Sequence, residues 1–123
     1  MTAPVPFDEA VVRGALRKAW SLESARQYTP QCPEAGQCNV TAVVVQDLFG
    51  GTIECTTLPG FDVPHFYNRI NGRRVDLTDG QFASPVSYDD QETTREHAMN
   101  WVLESELVSL QNRLTQALTQ VSR

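Results

Sequence analysis

A cysteine, a histidine and an aspartate are spaced in this chain so that they could act as a nucleophile, a base and an orienting acid. Cys38 is followed by an apolar run that ends at Gly50-Gly51. The valines of that run favour a strand, but ten to twelve residues that end in glycine favour a helix. Cys38 would then lie at a helix N-terminus, where backbone N–H groups and the macrodipole stabilise the reactive thiolate.

The histidine and the aspartate belong to a predicted β-hairpin over residues 64–78. Asn71-Gly72 between two strand-like runs is typical of a two-residue type I′ turn, which should pair Ile70 with Arg73. In this register one face is polar and carries His65, Tyr67, Asp76 and Thr78, and the other carries Phe66, Asn68, Ile70, Val75 and Leu77. His65 and Asp76 are diagonal neighbours, about 7 Å or less between Cβ atoms, so a hydrogen bond is predicted.

This set of side chains indicates acyl transfer. Asp76 would fix the tautomer of His65 and stabilise the imidazolium that forms when the histidine takes the proton of Cys38. The developing oxyanion also needs donors, and the backbone N–H of Cys38 is one. Gln31 and Gln37 are the side-chain candidates for a second donor, with Gln31 preferred because an upstream residue can loop back over the site.

Other residues could support such a site. Four side chains could line a substrate pocket: Trp20, Tyr67, Arg69 and Arg74. The two aromatic residues could equally pack in the core, and the arginines could equally form a solvated hairpin end. If functional, the arginines would hold an anionic group of the substrate. Thr78 and Gln81 could brace the aspartate through hydrogen bonds.

Two runs of the sequence carry a family resemblance. GQCNVTAVVVQDLFGG and HFYNRINGRRVDLTDGQF resemble the small bacterial YunG-like proteins, over roughly residues 18–120. The order Cys, His, Asp is also similar to that of papain-like and transglutaminase-like cysteine enzymes. That broader resemblance implies Cys38 as nucleophile, His65 as base, Asp76 as acid and a minimal papain-like core. The chain lacks papain's Cys-Gly-Ser-Cys-Trp motif and is too short for its second lobe, so cleavage of long peptides is not expected.

The elements that must position these residues fit one domain of 123 residues, with a flexible tail over about residues 1–6. The patterns predict a helix from about Asp8 to Trp20, a strand near Thr52 to Thr56 and, after a loop over residues 81–85, two helical stretches. The order indicates an α+β fold, with a small antiparallel sheet packed on the cysteine-bearing helix. The last helix, about Ser105 to Val121, has an apolar stripe that should pack on the core or form a homodimer interface.

The composition of the chain indicates which classes of partner and which cellular compartment to expect. The net charge is −5 and the 10 basic residues are scattered, apart from Arg69, Arg73 and Arg74 around the hairpin turn, so nucleic acid is not expected. No apolar run approaches the roughly 18 residues of a membrane span. The N-terminus does not resemble a secretory signal, so the three cysteines are expected to be free thiols in a reducing cytoplasm. Their spacing is not that of metal ligands, so no metal site is expected.

The sequence therefore predicts a cytoplasmic, cysteine-dependent acyl-transfer enzyme that needs no cofactor. Hydrolysis, deamidation and amide transfer all fit, with a small molecule or a short peptide as substrate. Two alternatives remain open at this point. One is a non-catalytic ligand-binding or regulatory module on the same fold, and the other is a thiol redox sensor that uses Cys38 with Cys32.

Overall fold

The structure is a computed structural model that describes residues 6–121, apart from the side chain of Val121. The tail expected over residues 1–6 lies outside this range except for Pro6, which is exposed. The chain forms α1 (Glu9–Ala19), α2 (Cys38–Phe49), β1 (Thr52–Thr56), β2 (His65–Ile70), β3 (Arg73–Val75), a 3-10 helix (Asp79–Gln81), β4 (Gln91–Thr93), α3 (Arg95–Met99) and α4 (Glu104–Val121).

The four strands form one antiparallel sheet in the order β3-β2-β1-β4, so the fold is α+β as predicted. The hairpin register is confirmed, since Ile70 pairs with Arg73 and Asn68 with Val75. Asn71 and Gly72 have φ of 54° and 79°, as a type I′ turn requires. The pairing ends at Val75, so the segment that follows is free to turn toward the start of β2.

Strand β4 was not predicted from the sequence. Its three residues are polar and mostly exposed, and they pair with β1 at the edge of the sheet. Such a short polar segment has no apolar alternation of its own. It becomes a strand because β1 offers an unpaired edge.

Helix α2 lies at the centre of the molecule, between the sheet and the helices α3 and α4. Every residue from Asn39 to Val45 is buried, which explains why the run lacks the polar face of a surface helix. Asn68 of β2 donates a hydrogen bond from its side chain to the carbonyl of Ala42, at 3.0 Å. The helix and the strand that carries His65 are therefore held in a fixed relation.

The last helix packs on the chain's own core. Leu107, Leu110 and Leu114 of the predicted stripe are buried, and α4 lies along α1. A homodimer through this helix stays a prediction. Within residues 6–121, the chain contains no helix that is both long and apolar enough to cross a bilayer.

Candidate active site

His65 and Asp76 form a buried pair where strand β2 begins and strand β3 ends. His65 is the first residue of β2, and Asp76 directly follows β3. Nε2 of the imidazole lies 2.7 Å from Oδ2 of the carboxylate, and their side chains are 1% and 4% exposed. Because the carboxylate can only accept, Nε2 carries a proton, and Nδ1 of a neutral imidazole is an acceptor. The hydrogen bond expected from the hairpin register is thus present.

The carboxylate of Asp76 is held by further donors. Its Oδ1 accepts hydrogen bonds from the backbone N–H of Thr78 at 3.3 Å and from the Thr78 hydroxyl at 3.4 Å. The hydroxyl of Tyr88 donates to Oδ2 at 2.7 Å, and Arg13 of α1 donates to the Asp76 carbonyl at 2.9 Å. The sequence indicated the bracing role of Thr78. It gave no signal for Tyr88 or Arg13, because both contacts depend on how distant segments fold back.

The surroundings of His65 favour its protonated form. Burial lowers the pKa of the imidazole, but the hydrogen bonds and charges of Asp76 and Cys38 outweigh it and raise that pKa to about 9. The ring of Phe82 lies edge-on to the imidazole, with 4.8 Å between ring centroids. The imidazolium is therefore stabilised by its partners within an otherwise apolar environment.

Cys38 is the first residue of α2, and it lines the same cavity as His65. Its thiol donates to Oδ1 of Asn39 at 3.2 Å, although it is close enough to contribute to the raised pKa of His65. Nδ1 of His65 is buried and has no hydrogen-bond partner among the described residues. The Cys38 thiol and this nitrogen are thus neighbours, although the thiol hydrogen bond is made to Asn39.

The cavity beside Cys38 has a volume of about 540 Å³, within the range of small-molecule sites. It lies between the start of α2, the loop that precedes β2, the 3-10 helix and the start of α4. Most of its wall is apolar, formed chiefly by Leu58, Phe61, Val63, Phe82, Trp101 and Val102. The candidate nucleophile and base thus open onto a site that could hold a ligand.

The side-chain donor at this cavity differs from the one predicted. Gln31 is exposed, and Gln37 is fully buried with its Nε2 3.3 Å from the carbonyl of Ser21, so neither side chain lines the cavity. Gln81 does line it, and its Oε1 accepts a hydrogen bond from the backbone N–H of Gly36 at 3.3 Å. Its Nε2 is buried and without a hydrogen-bond partner in the described part of the chain. Gln81 was expected to brace the aspartate, but the 3-10 helix directs it to the loop before Cys38.

The two aromatic pocket candidates are core residues. Trp20 is 4% exposed and donates from Nε1 to the hydroxyl of Thr41 at 2.9 Å. Tyr67 is 1% exposed, and its hydroxyl donates to Oδ1 of Asp90 at 3.0 Å. Neither lines the cavity. In this structure both residues are buried, and Trp20 belongs to the hydrophobic core.

The two arginine candidates also lie away from the cavity. Arg69 binds the carboxylate of Glu54 at 2.8 Å, and Arg74 binds both oxygens of Asp90. The guanidinium of Arg74 also stacks on the ring of Tyr88, 4.3 Å from its centroid. These cations are paired within the protein, so the predicted role in binding an anionic substrate group is not supported.

The other two cysteines differ from Cys38 in their surroundings. The thiol of Cys32 donates to Oε1 of Glu34 at 3.2 Å, and burial and this carboxylate raise the pKa of the thiol. Cys55 is buried in β1, where burial raises its pKa as well. No group of three His, Cys, Asp or Glu side chains that could hold a metal ion occurs in the described range.

The comparisons with known proteins identify the family. Residues 8–119 match the family described as YunG protein. The chain is also 38% identical over 111 residues to "Uncharacterized protein YunG" of Bacillus subtilis (strain 168), which covers 90% of this chain and 95% of that protein. The chain therefore belongs to the YunG family. No solved structure shows a significant match.

Proposed function

We propose that this protein is a cysteine-dependent acyl-transfer enzyme, with Cys38 as nucleophile, His65 as base and Asp76 as the acid that orients the base. The observation that carries the proposal is the buried hydrogen bond between His65 and Asp76, next to a cavity that Cys38 also lines. A buried imidazole whose other nitrogen has no partner, beside a thiol at a helix N-terminus, is the arrangement that nucleophilic catalysis needs.

The reaction would proceed through a thioester. The thiolate of Cys38 attacks the carbonyl carbon of an ester or amide, and the S–C bond forms. When the tetrahedral intermediate collapses, the bond to the leaving oxygen or nitrogen breaks, and protonated His65 gives that atom its proton. Water or an amine then attacks the thioester and transfers its proton to His65, and the Cys38 thiolate leaves. Asp76 stabilises the imidazolium throughout these steps.

Two donors could stabilise the negative oxygen of the intermediate. The backbone N–H of Cys38 belongs to the first turn of α2, where no side chain caps the helix. Nε2 of Gln81 is a buried amide donor at the wall of the same cavity. Because an unpaired buried donor is costly, a substrate oxygen that accepts from Nε2 would satisfy it.

The order of the three residues supports a minimal papain-like core: the cysteine begins a helix, the histidine begins β2, and the aspartate directly follows the neighbouring strand β3. A cavity of about 540 Å³ suits a small molecule or a short peptide.

The raised pKa of Cys32 disfavours a redox partnership with Cys38, since a resolving thiol reacts as its thiolate.

The rate of alkylation by iodoacetamide tests the proposal. Peptide mass spectrometry would follow Cys38 and Cys32 separately, from about pH 5 to about pH 9, in the wild type and in His65→Ala. We expect Cys38 to react rapidly at neutral pH in the wild type and to lose this advantage over Cys32 in the variant. Equal, His65-independent reactivity of the two cysteines would contradict the proposal.

A further inference from the structure

The chemistry of the cavity wall indicates which acyl groups it could accept. Apart from the reactive pair, most of the wall consists of aliphatic and aromatic side chains. Two of these, Phe61 and Trp101, are 63% and 45% exposed, although large apolar side chains are usually withdrawn from water. A ligand that covers them would remove this apolar surface from solvent.

The charges around the cavity also favour an uncharged, apolar ligand. Glu106 is the only Asp or Glu side chain that lines it, and no Lys or Arg does so within the described range. Oε1 of Glu106 accepts a hydrogen bond from the backbone N–H of Leu103 at 2.8 Å, which fixes the carboxylate at the start of α4. The other charged group at the wall, the imidazolium of His65, is already paired with Asp76. A ligand carboxylate away from His65 would meet the like charge of Glu106 and would have no arginine or lysine to pair with.

We propose that the cavity binds the acyl part of the substrate and selects apolar acyl groups without negative charge. This inference rests on the proposed function, because it assumes that Cys38 is acylated. The alkyl or aromatic part of the acyl group would pack against Phe61, Trp101 and their apolar neighbours. The carbonyl carbon would lie at the Cys38 thiol, and the leaving group would be directed out of the cavity.

Three p-nitrophenyl esters test the selection: the acetate, the hexanoate and the half-ester of adipate, which has the length of the hexanoate but ends in a carboxylate. Attack by Cys38 forms the S–C bond and releases p-nitrophenolate, so the burst gives the rate, and the intact mass gives the acylated protein. The acylation rate of Cys38 with each ester is divided by the rate at which glutathione reacts with the same ester, so that differences in the esters' own reactivity cancel. Burial of each methylene is expected to favour the reaction by roughly fourfold. The hexanoyl group is four methylenes longer than the acetyl group, so burial of only two of them should make the hexanoate exceed the acetate by at least about tenfold.

Two variants of the cavity wall have matched controls. Trp101→Ala should reduce the preference for the hexanoate, whereas Leu22→Ala, which removes a 63% exposed leucine that does not line the cavity, should not.

Glu106→Gln should raise the rate with the adipate half-ester relative to the hexanoate, because the glutamine keeps the acceptor for Leu103 and loses the charge. Glu104→Gln removes an exposed charge of the same helix that does not line the cavity, and should leave this ratio unchanged.

The possible outcomes separate the two proposals. Acylation of Cys38 at relative rates that do not depend on chain length or charge would overturn the selection and leave the proposed function standing. Failure of all three esters with a Cys38 that still shows His65-dependent alkylation would also overturn the selection alone. Failure of all three with a Cys38 that reacts like Cys32 would overturn the proposed function itself.

Discussion

The hydroxyl of Tyr88 and Nε2 of His65 lie at the same distance, 2.7 Å, from the same oxygen of Asp76. The two donors approach Oδ2, while Thr78 occupies Oδ1. The ring of Tyr88 is held in place by an edge-on contact with Tyr67, at 5.0 Å between centroids. Tyr88 thereby shares the carboxylate charge on which the imidazolium depends.

Tyr88→Phe should change the pH dependence of the site. Without the hydroxyl, the carboxylate charge is shared by fewer donors, and we expect the pKa of His65 to rise further. The imidazole resonances of His65 in an NMR titration would report this directly. The lost hydrogen bond should also reduce the free energy of unfolding by about 1 kcal/mol. A titration identical to that of the wild type would show that Tyr88 does not act on the pair.

Stability should depend on pH through His65. The folded-state pKa is about 9, above the ordinary value of 6.5. The stabilisation is therefore fully present below about pH 6.5 and is lost as the pH rises through about 9, with an upper bound of about 3 kcal/mol. Urea unfolding at about pH 6, 7.5 and 9 would measure it. Asp76→Asn should remove most of the change in unfolding free energy with pH, and Cys38→Ser should remove part of it. If the unfolding free energy of Asp76→Asn still fell between about pH 6 and about pH 9 as in the wild type, the dependence would belong to another group.

Gln81 should affect the acylation of Cys38 far more than its alkylation. Gln81→Glu keeps an acceptor for the Gly36 N–H and removes the amide donor that we assign to the oxyanion. We expect acylation of Cys38 by the preferred ester to slow by about 10²- to 10³-fold. Alkylation by iodoacetamide forms no oxyanion, so its rate should change far less. Gln31→Ala, at an exposed position away from the cavity, is the control. If Gln81→Glu slowed acylation and alkylation equally, the substitution would have disturbed the site in general, and the oxyanion role would be contradicted.

Two glycines should respond oppositely to alanine. Gly51 has φ of 79°, and a Cβ there would lie 2.3 Å from the carbonyl oxygen of Arg69, so Gly51→Ala should destabilise the fold by more than about 1 kcal/mol. Gly14 is an exposed position inside α1 with nothing within 4 Å, and Gly14→Ala should stabilise by about 0.5–1 kcal/mol. Midpoints of urea unfolding would measure both. A neutral Gly51→Ala would show that the β1–β2 contact can move.

The parts that the sequence predicted are those with local causes. Asn71-Gly72 sets a turn geometry and hence a register, and this register brings His65 near Asp76, which lies just beyond the paired residues. Gly50 ends α2 with φ of 82°, and it outweighs the strand preference of the valines. The α+β class followed from the order of these elements.

The parts that could not be predicted have non-local causes. Gln81 is 45 residues from Gly36 along the chain, and nothing in its local sequence shows that a 3-10 helix will direct it there. Trp20 and Arg74 have the chemistry of pocket residues, but their partners are the buried Thr41 and the partly exposed Asp90. Which of several suitable side chains lines the cavity depends on the tertiary packing.

The hydrogen bond from Arg13 to the carbonyl of Asp76 spans 63 positions in the chain. The same guanidinium binds Asp79 at 3.2 Å, so α1 is tied to both ends of the segment that carries the acid. Trimming the N-terminus to obtain a smaller protein would therefore have a cost beyond lost apolar packing. A chain that begins after residue 20 would lose these two contacts with the segment of Asp76, so a shortened version should be trimmed at the far end of α4 instead.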